Sequence, residues 1–186
     1  MGVPKIRRER YTYADYSSWD DGERWELIAG VAYNMSPAPV RRHQQVLGRL
    51  FRVVSNITDR GSCETYVAPF DVRFSADEET DTVVQPDISV FCDSSSLDDR
   101  GAIGSPTLVI EILSPSTSHK DLTVKLELYE RHGVREYWVV NADAPWVMVY
   151  RLGDDGRFQK PDYYREGDSV VSEVLSGERI ALGDFL

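Results

Sequence analysis

Three side chains in the 186-residue chain stand where local pattern would not put them, and their types share one chemistry. Glu111 interrupts the apolar run at 108–113 (LVIEIL), which otherwise reads as a buried strand. Alternation places Leu108, Ile110 and Ile112 on one face and Val109, Glu111 and Leu113 on the other. A carboxylate at the centre of such a strand must be paired, protonated or metal-bound, because an isolated buried charge is very costly. At an edge or a barrel mouth it would simply reach water. Lys125 shares an i, i+3, i+7 helix stripe with Leu122 and Tyr129, the stripe that should face the sheet. It is either a buried, partnered ammonium or a side chain that snorkels to solvent along its methylene stem. Asp87 follows Pro86 at the start of a segment whose Ile88 and Val90 suit a pleated, half-buried surface. Alone it reads as turn chemistry.

Taken together, a carboxylate on one strand, a second on a neighbouring strand and a lysine on the next helix can meet in one cavity. His43, His119 and His132 have no spacing suited to zinc. The set is therefore all-oxygen and suits a hard cation, Mg²⁺ or Mn²⁺. Such an ion polarises a phosphoryl group and acidifies a bound water. A nearby ammonium stabilises the negative charge that grows during displacement. Lys125 fits that electrostatic, water-orienting role better than general base, since neighbouring carboxylates favour its charged form. Other enzyme classes lack their signatures: there is no GxSxG elbow, no GxxxxGK[ST] loop and no HExxH pair. Ser114 and Ser116, on either side of Pro115, read as helix-capping residues.

The elements that must position these groups follow from periodicity. Residues 12–19 predict a short helix. Residues 25–35 (WELIAGVAYNM), with Gly30 at the centre, predict a β-hairpin ended by Ser36-Pro37-Ala38-Pro39. Val46, Leu47, Leu50, Val53, Val54 and Ile57 keep the spacing of an amphipathic helix, closed by Gly61. Strands are expected at 69–74, 83–91, 106–113, 137–140 and 146–152, and a helix at 119–132 ended by Gly133. The tail, with Val170, Val171 and Val174, adds further strands. The fold class is α+β or α/β in a single domain over 1–186.

Apolar residues make up 41% of the chain, a globular composition, and no apolar run reaches the length of a membrane span. The basic start, with Lys5, Arg7, Arg8 and Arg10, has no apolar segment of a secretory signal. Cys63 and Cys92 form no CxxC motif, so reduced cysteines and a cytoplasmic location are expected. The net charge of −10 argues against a large basic nucleic-acid face, yet base concentrates at the N-terminus and at Arg41 and Arg42. Acid concentrates at 77–81, at 93–99 and at Asp154 and Asp155, which read as solvated turns.

The ordered set VQPDISV, LVIEILSPST and DLTVKLELYERHGVREYWVV resembles the Uma family of restriction-endonuclease-like nucleases, within the PD-(D/E)XK superfamily. YTYADY, ERWELIAGVAYNMSPAP with RRHQQV, and the tail GDSVVSEVLSGERIAL extend the likeness over about residues 10–186. The resemblance implies a restriction-endonuclease-like core, αβββαβ, with a central mixed sheet flanked by helices. An N-terminal hairpin and extra C-terminal strands are added to it. Asp87 matches the PD aspartate and Glu111 the acidic residue of the second element. Leu113 stands where the superfamily carries its lysine, and Lys125 replaces it from the following helix. Glu26 matches a further acidic position, as an additional metal ligand or as an exposed hairpin carboxylate. His43 matches a family histidine, as a phosphate contact or as a capping or surface residue. The function so implied is a Mg²⁺- or Mn²⁺-dependent DNA endonuclease acting as a homodimer, with Trp138 and Trp146 as candidate interface aromatics. The alternative, motivated by Leu113 and the acidic charge, is a catalytically inactive nuclease-fold module that binds nucleic acid or protein.

Overall fold

The structure, a computed structural model, describes residues 10–35, 39–115 and 118–186. The basic start at 1–9, most of the Ser36–Pro39 stop and the Ser116-Thr117 pair lie outside the described residues. Helix α1 (Tyr13–Tyr16) is closed by a capping box between Thr12 and Asp15. Strands β1 (Trp25–Ile28) and β2 (Val31–Asn34) form the expected hairpin. Its two turn residues, Ala29 and Gly30, both have positive φ, the backbone that matches the twist of a tight hairpin. Helix α2 (Arg41–Thr58) follows, then β3 (Glu64–Val67), β4 (Val72–Arg73), β5 (Val83–Val84) and β6 (Ile88–Phe91). Next come β7 (Leu97–Asp98), β8 (Gly101–Ile103), β9 (Leu108–Ile112), α3 (Ser118–Leu122) and α4 (Val124–Arg131). The chain ends with β10 (Glu136–Asn141), β11 (Trp146–Arg151), β12 (Asp162–Arg165), β13 (Ser169–Ser172) and β14 (Glu178–Ala181).

The central sheet runs β12-β11-β10-β9-β6-β3 and is mixed. β9 and β10 are parallel and the other neighbours antiparallel. A parallel pair needs a crossover, and α3 and α4 supply it. One face of this sheet, with Leu108, Ile110, Ile112, Trp138 and Val140, packs under Val46, Leu47, Leu50 and Val54 of α2 and under the C-terminal segment. On the other face, Val109, Tyr137 and Val139 meet Leu128 and Tyr129 of α4. They also meet Ile28, Val72 and Val84 of a second sheet, ordered β2-β1-β5-β4-β8-β7. The alternation read at 108–113 therefore holds, and Glu111 belongs to the face beneath α4.

Several expectations are corrected. The segment 83–91 is two strands in two sheets, broken at Gln85-Pro86-Asp87, because Pro86 has no N–H to give to a ladder. That break leaves Asp87 at the corner between the sheets. The strand expected at 69–74 shortens to β4, and the helix at 119–132 divides at Thr123 (φ −130, ψ −78). Strands β3, β7, β8 and β12 were not predicted by periodicity. Cys63 and Cys92 are not reduced but joined in a disulfide that bridges the ends of β3 and β6, next to the Glu64↔Phe91 pair. Such bonds are rare in cytosolic proteins, which removes the cysteine argument for that location. No helix among the described residues is long and apolar enough to cross a membrane. Trp138 is wholly buried, so it serves the core and no subunit surface.

Asp98, read from sequence as part of a solvated turn, is exposed and also holds Arg73. The guanidinium is 1% exposed and its Nη2 donates to both Asp98 carboxylate oxygens at 2.6 Å. Asp98→Ala leaves a buried cation without its acceptor. The expected cost is about 1.5–3 kcal/mol, read as a lower urea midpoint at unchanged slope; an unchanged midpoint contradicts this role.

Candidate active site

The register of β6 against β9 pairs Ile88 with Ile110, which sets Asp87 across from Glu111. Like charges directly opposite on a sheet repel, so this placement demands compensation. Asp87 Oδ2 accepts a hydrogen bond from the Ile112 amide at 2.8 Å and lies 3.2 Å from His43 Nε2 on the first turn of α2. Glu111 Oε1 accepts from Lys125 Nζ at 2.7 Å and from the Tyr129 hydroxyl at 2.8 Å. Its Oε2 lies 3.4 Å from the Asp87 amide. Lys125 and Tyr129 are neighbours one turn apart on α4, which is why one helix delivers both to the same oxygen.

Lys125 does not snorkel. Its side chain is 3% exposed, and Nζ sits 2.7 Å from Glu26 Oε1 as well as 2.7 Å from Glu111 Oε1. Asp121, one turn earlier across the break at Thr123, comes within 4.0 Å. Glu26 is fully buried on β1 and is not an exposed hairpin carboxylate. Its Oε2 accepts from Lys120 Nζ at 2.6 Å and its Oε1 from the Gln85 amide at 3.1 Å. His43 is also buried, so it orients Asp87 and does not offer a surface to phosphate. Because an ionised carboxylate only accepts, Nε2 carries the proton in that bond.

Glu111, Glu26 and Asp121 thus lie about the Lys125 ammonium, with Lys120 on Glu26 and Asp87 beside Glu111. The electrostatics follow. Burial, reinforced by Asp121, Asp87 and Glu26 and opposed by Lys125, pushes Glu111 up to about 8. Burial also works against charge on Lys125, but Glu111 and Glu26 hold its ammonium well above the ordinary lysine range. Glu26 is held below its ordinary value, since Lys125 and Lys120 outweigh its burial. Tyr129 is raised by burial and by Glu111 and stays a neutral donor. His43 is raised as well: burial opposes its charge, and the bond and charge of Asp87 prevail.

The donor set fits a hard divalent cation. Asp87 and Glu111 would supply the carboxylate oxygens that such an ion takes. Among the described residues no group of three or more His, Cys, Asp or Glu side chains converges to hold an ion alone. An ion here would need water and substrate phosphate to complete its shell, the usual manner of Mg²⁺ binding. Lys120, Asp121 and Gln85 were missed from sequence. The i, i+4 spacing of Asp121 and Lys125 was the available signal for the second; none existed for the other two.

The family model for Uma2, described as "Putative restriction endonuclease", matches residues 13–183. An uncharacterized protein of Synechocystis sp. is 29% identical over 156 residues, covering 82% of this chain and 77% of that protein. A crystal structure of a putative nuclease belonging to DUF820, from Anabaena variabilis, superposes with a TM-score of 0.75 at 22% identity. The match covers 94% of this chain and 97% of that one, a likeness of fold.

Two measurements check the charge balance. Between the ordinary carboxyl value of 4.5 and about 8, the folded state keeps a proton on Glu111 that the unfolded chain has lost. In cation-free buffer stability therefore falls as pH rises through that window, by at most about 1.4 kcal/mol per unit. Glu111→Gln removes this contribution, and an unaltered pH profile contradicts it. Lys125→Met strands Glu26 and Glu111 and is expected to cost about 3–5 kcal/mol in urea unfolding; a cost below about 1 kcal/mol, as for an exposed pair, refutes the buried network.

Proposed function

The chain belongs to the Uma2 family of putative restriction endonucleases, and from that premise we propose that it is a metal-dependent endonuclease hydrolysing phosphodiester bonds in DNA. The observation that carries the reading is the register-fixed pair Asp87 and Glu111 with the Lys125 ammonium 2.7 Å from the latter. Asp87 and Glu111 would hold Mg²⁺ or Mn²⁺, which supplies Lewis acidity at the phosphate and a more acidic water.

The chain's own residues do the rest. His43 and the Ile112 amide fix the Asp87 carboxylate. Tyr129 holds Glu111 by a bond that only a neutral phenol can donate. Lys125 keeps its proton, so it acts by charge and stabilises the anionic phosphorane-like transition state without serving as base. Glu26 fixes both lysines and is a positioning residue. Leu113 in place of the superfamily lysine does not remove the ammonium, because α4 brings Lys125 to the same carboxylate. Homodimerisation belongs to the same reading, and a monomeric mass by light scattering would refute it.

Cleavage of plasmid DNA by the purified protein tests the function. Activity is expected with Mg²⁺ or Mn²⁺ and is abolished by EDTA. Asp87→Ala and Glu111→Gln should each lower it by about 10²-fold or more, the scale of a lost transition-state contact. Cleavage that survives both substitutions and chelation rules out this site. Absence of cleavage together with absence of cation binding favours the alternative, a nuclease fold kept as an interaction module.

A further inference from the structure

The chain carries a net charge of −10, yet every Asp and Glu is missing from the sequence of α2, whose charged residues besides His43 are Arg41, Arg42, Arg49 and Arg52. At about 100° per residue the four arginines fall within an arc of about 100°. That arc lies opposite the buried stripe of His43, Val46, Leu47, Leu50, Val54 and Thr58. Of the eleven arginines described outside α2, six (Arg10, Arg60, Arg73, Arg100, Arg151 and Arg157) meet a carboxylate. Among the described residues none of the four on α2 does. A row of unpaired guanidinium groups on an acidic protein costs self-repulsion only with other cations and is complementary to a polyanion.

A second feature marks the same face. Gly48 lies in the interior of α2, exposed, beside Arg41 on the helical wheel at the edge of the arginine arc. A Cβ there would meet nothing within 4 Å, so packing within the protein does not require glycine. Glycine is the poorest helix former after proline, and a close approach of another molecule to the backbone is the remaining steric reason for it. The stripe also adjoins the site. His43, on the first turn of α2, holds Asp87. Arg42 Nε donates to the Ala142 carbonyl at 3.3 Å, just beyond β10, at the sheet end where Glu111 lies. From Arg41 to Arg52 the helix extends about 16 Å away from that point.

We infer that the outer face of α2 is the docking surface for duplex DNA, its arginines tracking one strand's phosphates toward the Asp87–Glu111 pair. This rests on the nuclease reading for the site at its end. Guanidinium groups suit phosphate, which they grip in bidentate fashion. The large apolar side chains that stand exposed are Val31, Val40 and Tyr163, none of them within α2, so the stripe offers no stacking platform for unpaired bases. The acidic remainder of the surface repels DNA and confines it to this face.

The test is fluorescence anisotropy of a short labelled duplex in EDTA across a salt series, beside plasmid cleavage with Mn²⁺. The Arg49→Gln/Arg52→Gln double variant should bind at least about 10-fold more weakly, with a log K against log salt slope shallower by about 1.8. Gly48→Glu places a carboxylate in the stripe and favours the helix, so it should weaken binding with no loss of Tm. Equal duplex affinity in these variants and the wild type overturns the docking surface, while wild-type cleavage would leave the nuclease reading intact. Stripe-dependent binding without cleavage under any cation sinks the nuclease reading and upholds the surface. Failure of the wild type to bind duplex, or binding of single strands alone, overturns the surface.

Discussion

The structure turns on one buried ammonium shared by two carboxylates. Lys125 lies between Glu26 of β1 and Glu111 of β9, and all three are almost wholly removed from water. Ions desolvated in this way are tolerable only when geometry and hydrogen bonding are close to complete. That requirement explains the roles of Tyr129, Lys120 and the Gln85 amide, each of which gives a hydrogen bond to one of the carboxylates. It also ties the outer sheet to the central one, since Glu26 comes from the first and Glu111 from the second. The charge cluster is thus a structural joint as well as a site.

The joint is deliberately one-sided. Burial, reinforced by the nearby Asp121, Asp87 and Glu26, raises Glu111 against the pull of Lys125. A protein selected for stability alone would do better with apolar residues here. An unbalanced buried carboxylate is characteristic of functional sites, where proton and cation compete for the same oxygens. Helix α2 contributes to both tasks. Its inner face covers the sheet and its first turn orients Asp87, while its outer face presents arginines that nothing in the described fold neutralises.

Much of this was legible in the sequence, for identifiable reasons. Glu111 and Lys125 stood out because each breaks a strong periodic pattern, and the structure buries both. Asp87 was marked by Pro86 at a strand start, and β6 does begin at the next residue, Ile88, while the same proline also parts β5 from β6. The role of Glu26 was illegible: its partners Lys120 and Lys125 lie 94 and 99 residues away in sequence, and only sheet topology brings them together. The Cys63–Cys92 bond was hidden likewise, because a separation of 29 residues signals nothing until the β3–β6 register is known. Short strands such as β4, β7 and β8, two or three residues long, carry no periodicity to read. Arg73 shows the same limit, a buried guanidinium on a polar strand position that meets the exposed Asp98.

The most direct test of the central claim is the anomalous difference map of a crystal grown with Mn²⁺. The register-fixed Asp87–Glu111 pair predicts one strong peak within coordination distance of oxygens of both, with Glu26 still bonded to its lysines. A map without a peak there, or with the ion bound by Glu26 away from Asp87, contradicts the account.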